Sequence, residues 1–133
     1  MPHLQFEMNF AATPEQKREF GAAVVRAFAA VMDTGTDHIA VTLRCFGSDD
    51  LVYGRAAGGR ALFLNADLRN GRTREQKRRL ALSILAEAER ILGVPQKSAY
   101  VIYTEHDGEN FQMSDRVLPS WTPGEDPLSG DAQ

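Results

Sequence analysis

Apolar residues alternate with polar ones at Leu4, Phe6 and Met8, then recur at helical spacing at Phe20, Val24, Ala27, Phe28 and Val31. Alternation marks a strand with one buried face, and a three-to-four spacing marks a helix with one apolar stripe. A second alternating run follows at Ile39, Val41 and Leu43. The same succession returns sixty positions later: Leu64, Ala66 and Leu68, then Leu80, Ile84, Leu85, Ala88, Ile91 and Leu92, then Ala99, Val101 and Tyr103. The register holds without a gap. DDLVYGR at 49–55 and ENFQMSDR at 109–116 close the two copies and read as short hairpin strands.

The helix starts repeat as well. TPEQK from Thr13 and TREQK from Thr73 each place a threonine hydroxyl at the cap and a glutamine three residues on, able to reach back to it. Pro14 suits the first helical position, and Gly35 and Gly93 punctuate the ends. The pattern predicts an α+β fold of duplicated β-α-β units in a single domain over 1–133, with pseudo-repeats at about 1–60 and 61–120. Right-handed crossovers make the strands of each unit parallel. Pairing the two first strands antiparallel then gives a four-stranded mixed sheet with both helices on one face. Gln5, Glu7, Thr42, Arg44, Phe63, Asn65 and Asp67 would share the other face, as a solvated surface or a wet subunit interface. GRAAGGR at 54–60 reads as a flexible connector. SWTPGEDPLSGDAQ, over 120–133, reads as a mobile tail whose Trp121 anchors its start against a neighbouring subunit.

Composition narrows the function classes. A chain of 133 residues with net charge −3 has no global attraction for nucleic acid or anionic lipid. A lone Cys45 excludes an intramolecular disulfide and, within HIAVTLRCF, reads as a buried structural thiol. MPHLQFEM lacks the parts of a signal peptide and no apolar run reaches transmembrane length, so a soluble, cytoplasmic protein is expected. His3, His38 and His106 have no metal-ligand spacing, and neither metal nor cofactor is expected.

The copies differ where chemistry gathers. Antiparallel pairing of the first strands sets Met1-Pro2 beside LRNGRT, the turn carrying Arg69 and Arg72. The first copy has Asn9 and Ala12 in place of these arginines, and the second has Leu62 in place of Pro2. Removal of Met1 would free a secondary amine on Pro2. An α-amino group titrates near about 8, within reach of general acid or base work, and burial beside guanidinium groups disfavours its charged form. The plain reading of Pro2 is a proline at a strand start. Two arginines at a helix N-terminus suit a carboxylate or phosphate. Their plain reading is a solvated basic face shared with Arg74, Lys77, Arg78 and Arg79, which no nucleic-acid motif accompanies.

Pro2 after Met1, the two β-α-β units and GRTREQK together resemble the tautomerase superfamily, whose members use an amino-terminal proline. TGTDHIAV at 34–41, LRNGR at 68–72 and FQMSDRVLP at 111–119 are similar to its cis-3-chloroacrylic acid dehalogenase-like subgroup. The resemblance implies a homotrimer with three active sites, Pro2 as catalytic amine, and Arg69 and Arg72 holding a small carboxylate substrate. Neither nucleic acid nor membrane is an implied partner. The dehalogenases also carry a first-helix histidine, a last-strand tyrosine and a tail glutamate. Those positions fall here on Phe28, on Ile102 or Tyr103 depending on a one-residue gap, and on Met113; Phe28, Tyr103 and Met113 are taken as pocket-lining. Met113 cannot accept a proton. The resemblance therefore implies an isomerase, a keto-enol tautomerase of small 2-oxo acids or enolpyruvates. The alternatives are a hydratase or dehalogenase of 3-haloacrylate-like acids, with Glu105, Glu109 or Asp115 substituting, and a non-enzymatic trimeric scaffold.

Overall fold

The computed structural model of the chain describes residues 2–125. Strand β1 (His3–Met8) leads into helix α1 (Pro14–Met32) and strand β2 (Ala40–Cys45). Strand β3 (Leu62–Arg69), helix α2 (Arg74–Leu92) and strand β4 (Ala99–His106) repeat the order. The sheet runs β2-β1-β3-β4. Strands β1 and β2 are parallel, β3 and β4 are parallel, and β1 and β3 are antiparallel. Duplicated β-α-β units thus meet through their first strands.

Both capping boxes form. The Thr13 hydroxyl accepts from the Gln16 backbone, and the Gln16 side chain accepts from the Thr13 N–H. Thr73 and Gln76 repeat the pair. Each glutamine has a second task, because its side-chain amide donates to the last turn of the other helix: Gln16 to the Ile91 carbonyl, Gln76 to the Val31 carbonyl. Those two contacts are also sixty residues apart, so the two units are related by an approximate two-fold axis that extends to individual hydrogen bonds. The α2 helix ends at Gly93 in the left-handed region, whereas α1 ends at Asp33, two residues before the expected Gly35.

The core lies between the helices and one face of the sheet, where Leu4, Phe6, Met8, Phe20, Phe28, Leu64, Leu68, Leu80 and Ile84 are fully or almost fully buried. Gln5 sits in register with Thr42 and Asn65, and Glu7 with Arg44 and Phe63, on the opposite face. Three expectations need correction. Residues 49–55 form no strand but a turn and a 3-10 helix at Gly54–Ala56, while 109–116 keep only an isolated bridge between Gln112 and Val117. Neither segment has enough partner backbone to extend a ladder. The connector at 54–60 contains that 3-10 turn and is stapled by Asn9, whose side chain bonds the Gly59 carbonyl and the Ala61 N–H. Cys45 is exposed, because β2 is an edge strand and Cys45 is its last residue.

Candidate functional site

The β1–β3 register pairs His3 with Asp67. Pro2 therefore reaches the same end of the central strand pair as Arg69 and the turn that follows it. Pro2 is buried, and its carbonyl accepts from the Ala40 N–H at 3.1 Å. A cleft of about 220 Å³ lies beside it, lined by Pro2, His3, Ala40 and Phe111. Phe111 rests edge-on against His106, which bonds Asp67 at 2.9 Å. Composition alone did not single out Phe111; its place at the foot of the second hairpin, one residue past a 3-10 turn, brings it back to the N-terminus.

The six clustered cations separate into two sets. Arg74, Arg78 and Arg79 are exposed and border a shallow depression on α2, and Lys77 pairs with Glu105 at 2.6 Å. Arg69 and Arg72 are buried, at 0% and 6% exposure. Burial follows from the segment after the hairpin, Pro119–Glu125, which crosses the arginine turn like a strap. Trp121 N–H donates to the Asn70 carbonyl at 2.8 Å, Arg69 Nη1 donates to the Pro119 carbonyl at 2.8 Å, and the Ser120 hydroxyl accepts from the Gly108 N–H. Two glycines admit this crossing. A Cβ on Gly71, whose φ is +128°, would fall 2.0 Å from the Trp121 carbonyl oxygen, and one on Gly108 would fall 2.0 Å from the Pro119 carbonyl carbon. The first copy has Ala11 and Ser48 at the corresponding positions.

The strap brings chemistry of its own. Both Arg69 Nη atoms donate to the Glu125 carboxylate. The Arg72 guanidinium lies 4.6 Å from the Trp121 ring and 5.9 Å from Phe28, within cation–π range of both. Arg72 Nε and Nη2, Arg69 Nε and Trp121 Nε1 are buried without a hydrogen-bond partner among the described residues. Burial, together with the charge of Arg69 and against that of Glu125, pushes the Arg72 pKa down to about 10, so the group stays cationic at neutral pH. Four orphaned donors in one place are costly unless an acceptor reaches them.

The other expected residues stand apart from Pro2. Phe28 is fully buried in the helix–sheet core, beneath Arg72. Tyr103 points toward α2 and donates its hydroxyl to the Lys77 carbonyl at 2.6 Å; burial pushes its pKa upward, so it remains a donor. Met113 sits half-buried in the hairpin, where its N–H donates to the Arg116 carbonyl. Neither arginine lines the cleft beside Pro2. Among the described residues no group of three or more His, Cys, Asp and Glu side chains gathers in a metal-binding arrangement. No helix among them is long and apolar enough to cross a membrane. Trp121 anchors its segment against its own chain, and residues 126–133 of the expected tail lie outside the described residues. Glu125 was missed because an acidic residue in a turn-rich, polar stretch carries no periodic signal.

Residues 63–119, which span the second unit and its hairpin, match the family model of tautomerase enzymes. Solved structures extend the likeness to both units. The Q0 fused 4-OT, a wild-type symmetric trimer, superposes with a TM-score of 0.79 at 20% identity over 87% of this chain and 94% of its own. N1, a member of the cis-3-chloroacrylic acid dehalogenase family, gives 0.77 at 20% identity over 92% and 85%. The second unit thus matches the tautomerase family, and the whole chain shares the fold of these structures. Macrophage migration inhibitory factor of Toxoplasma gondii shares the tautomerase fold too, with a TM-score of 0.75 at 21% identity over 87% of this chain and 99% of its own. At these identities the structural likeness carries the fold and leaves the activity open. Comparison with curated protein sequences gives no match.

Proposed function

We propose that this protein is a member of the tautomerase superfamily and a keto-enol tautomerase of small 2-oxo acids, with the Pro2 amine, freed of Met1, as general base and acid. The observation that carries the reading is the shared strand end: the β1–β3 register delivers Pro2 beside a turn holding two buried guanidinium groups. An amine near neutrality takes a proton from carbon and returns it to oxygen, or the reverse, while the arginine turn holds the carboxylate and stabilises enolate charge. Phe111 gives the cleft an apolar wall, which favours the neutral amine.

A homotrimer belongs to this reading. Tyr100 and Ile102 leave 43% and 47% of their surface exposed on the sheet face away from the helices, where Phe63, Tyr53 and Tyr100 form an aromatic cluster. Such a face suits contact with a second copy. Hydration of a haloacrylate is disfavoured: Tyr103 is committed to the α2 backbone and Met113 cannot accept a proton. The deciding experiment is intact mass followed by phenylenolpyruvate ketonisation. Protein lacking Met1 is expected to catalyse ketonisation and to lose it when Pro2 is chemically blocked. Protein with a free Pro2 and no rate above buffer would remove the reading.

A further inference from the structure

The arginine site carries two guanidinium charges and one resident carboxylate. Glu125 engages both Nη atoms of Arg69, and the Pro119 carbonyl takes a further bond from the same group. Among the described residues Arg72 has no such partner: its Nε and Nη2 are buried and unbonded there, and the neighbouring indole N–H of Trp121 likewise meets no acceptor. The arrangement is asymmetric. One arginine is satisfied by the chain, and one presents an unsatisfied edge with the bidentate geometry that fits a carboxylate. Counting Glu125 against the pair leaves a single positive charge.

We propose that Glu125 is a specificity-determining residue that occupies Arg69 and so restricts the site to singly charged acids, bound by the Nε–Nη2 edge of Arg72 and the indole N–H of Trp121. The inference rests on the preceding reading insofar as the arginine turn is an anion site, but it does not depend on proline chemistry. A monocarboxylate placed on Arg72 balances the site's remaining charge. A dicarboxylate brings a second negative group toward Arg69, where Glu125 already stands, and like charges repel at close range in a site removed from water. Trp121 takes part directly, since the Arg72 guanidinium lies over its ring at 4.6 Å.

Trp121 is the sole tryptophan of the chain, so its emission reports the site without a label. Titration of the full chain with propionate and with succinate, neither of which reacts, measures the preference directly. The native protein is expected to bind propionate more tightly than succinate. Glu125→Gln, which keeps the shape and removes the charge, is expected to improve succinate binding about tenfold or more while propionate changes less than about threefold, the scale of one charge-assisted hydrogen bond. Glu125→Ala is expected to do the same. Equal gains for both acids would make Glu125 a mere competitor and overturn the proposal, as would equal losses. An unaltered succinate-to-propionate ratio in both variants, with native circular dichroism, would also overturn it. Failure of ketonisation alongside the expected switch would count against the proline reading alone.

Discussion

Arg69 and Arg72 lie three residues apart on one turn, yet the chain treats them differently. Arg69 is bonded by a carbonyl and a carboxylate, whereas Arg72 keeps donors with no partner among the described residues, over two aromatic rings. Its pKa, pushed down to about 10 by burial and by Arg69, lies above the range in which an α-amino group titrates, near about 8. The signs follow. Anion binding requires charged Arg72 and is lost only as pH rises through about 10; ketonisation by a basic amine requires neutral Pro2 and grows as pH rises through its pKa. Propionate binding is therefore expected to stay level between about pH 6 and 9, while kcat/KM for ketonisation climbs in the same window. Parallel curves would place the titrating group in the anion site instead. The arginine pair was legible in the sequence as a difference between two copies. Its burial was not, because the residues that cover it stand about fifty positions away along the chain.

At the scale of elements, the strap depends on two places where a side chain would intrude. Gly71→Ala sets a methyl group against the Trp121 carbonyl and imposes a positive φ on alanine; Gly108→Ala meets the Pro119 backbone. Each is expected to lift the strap, shift Trp121 emission toward that of a water-exposed indole, and cost at least about 1–3 kcal/mol in urea unfolding. Gly21→Ala is the control, since a Cβ there meets nothing within 4 Å in the interior of α1, and stabilisation by up to about 1 kcal/mol is expected. An unshifted emission in both strap variants would mean that the segment is held by other means. Elements governed by local chemistry were readable in advance: the capping boxes need only residues three apart. The hairpin at 49–55 was misread because apolar alternation over a few residues does not supply a partner strand.

For the molecule as a whole, topology was the most legible feature. A gapless sixty-residue offset, with right-handed crossovers, left one economical sheet order, and β2-β1-β3-β4 is that order. What one chain cannot specify is its outer face. Tyr100 and Ile102 stand exposed on β4, whose far edge has no strand partner among the described residues. Light scattering of the native protein is expected to give three times the chain mass, and Ile102→Glu, which places a charge in that contact, is expected to give monomers with little activity. A native monomer with full activity would end the trimer reading.

The reciprocal reach of the two capping glutamines bears on how the chain comes into being. Gln16 closes on the Ile91 carbonyl and Gln76 on the Val31 carbonyl, while β1 pairs with β3 across most of a unit's length. A first unit emerging alone from the ribosome would hold an unpaired strand edge and an uncovered helix end, with nothing yet synthesised to close either. The first unit is therefore expected to complete its fold only once the chain as far as Leu92 has left the exit tunnel, with its apolar strand edge open until then.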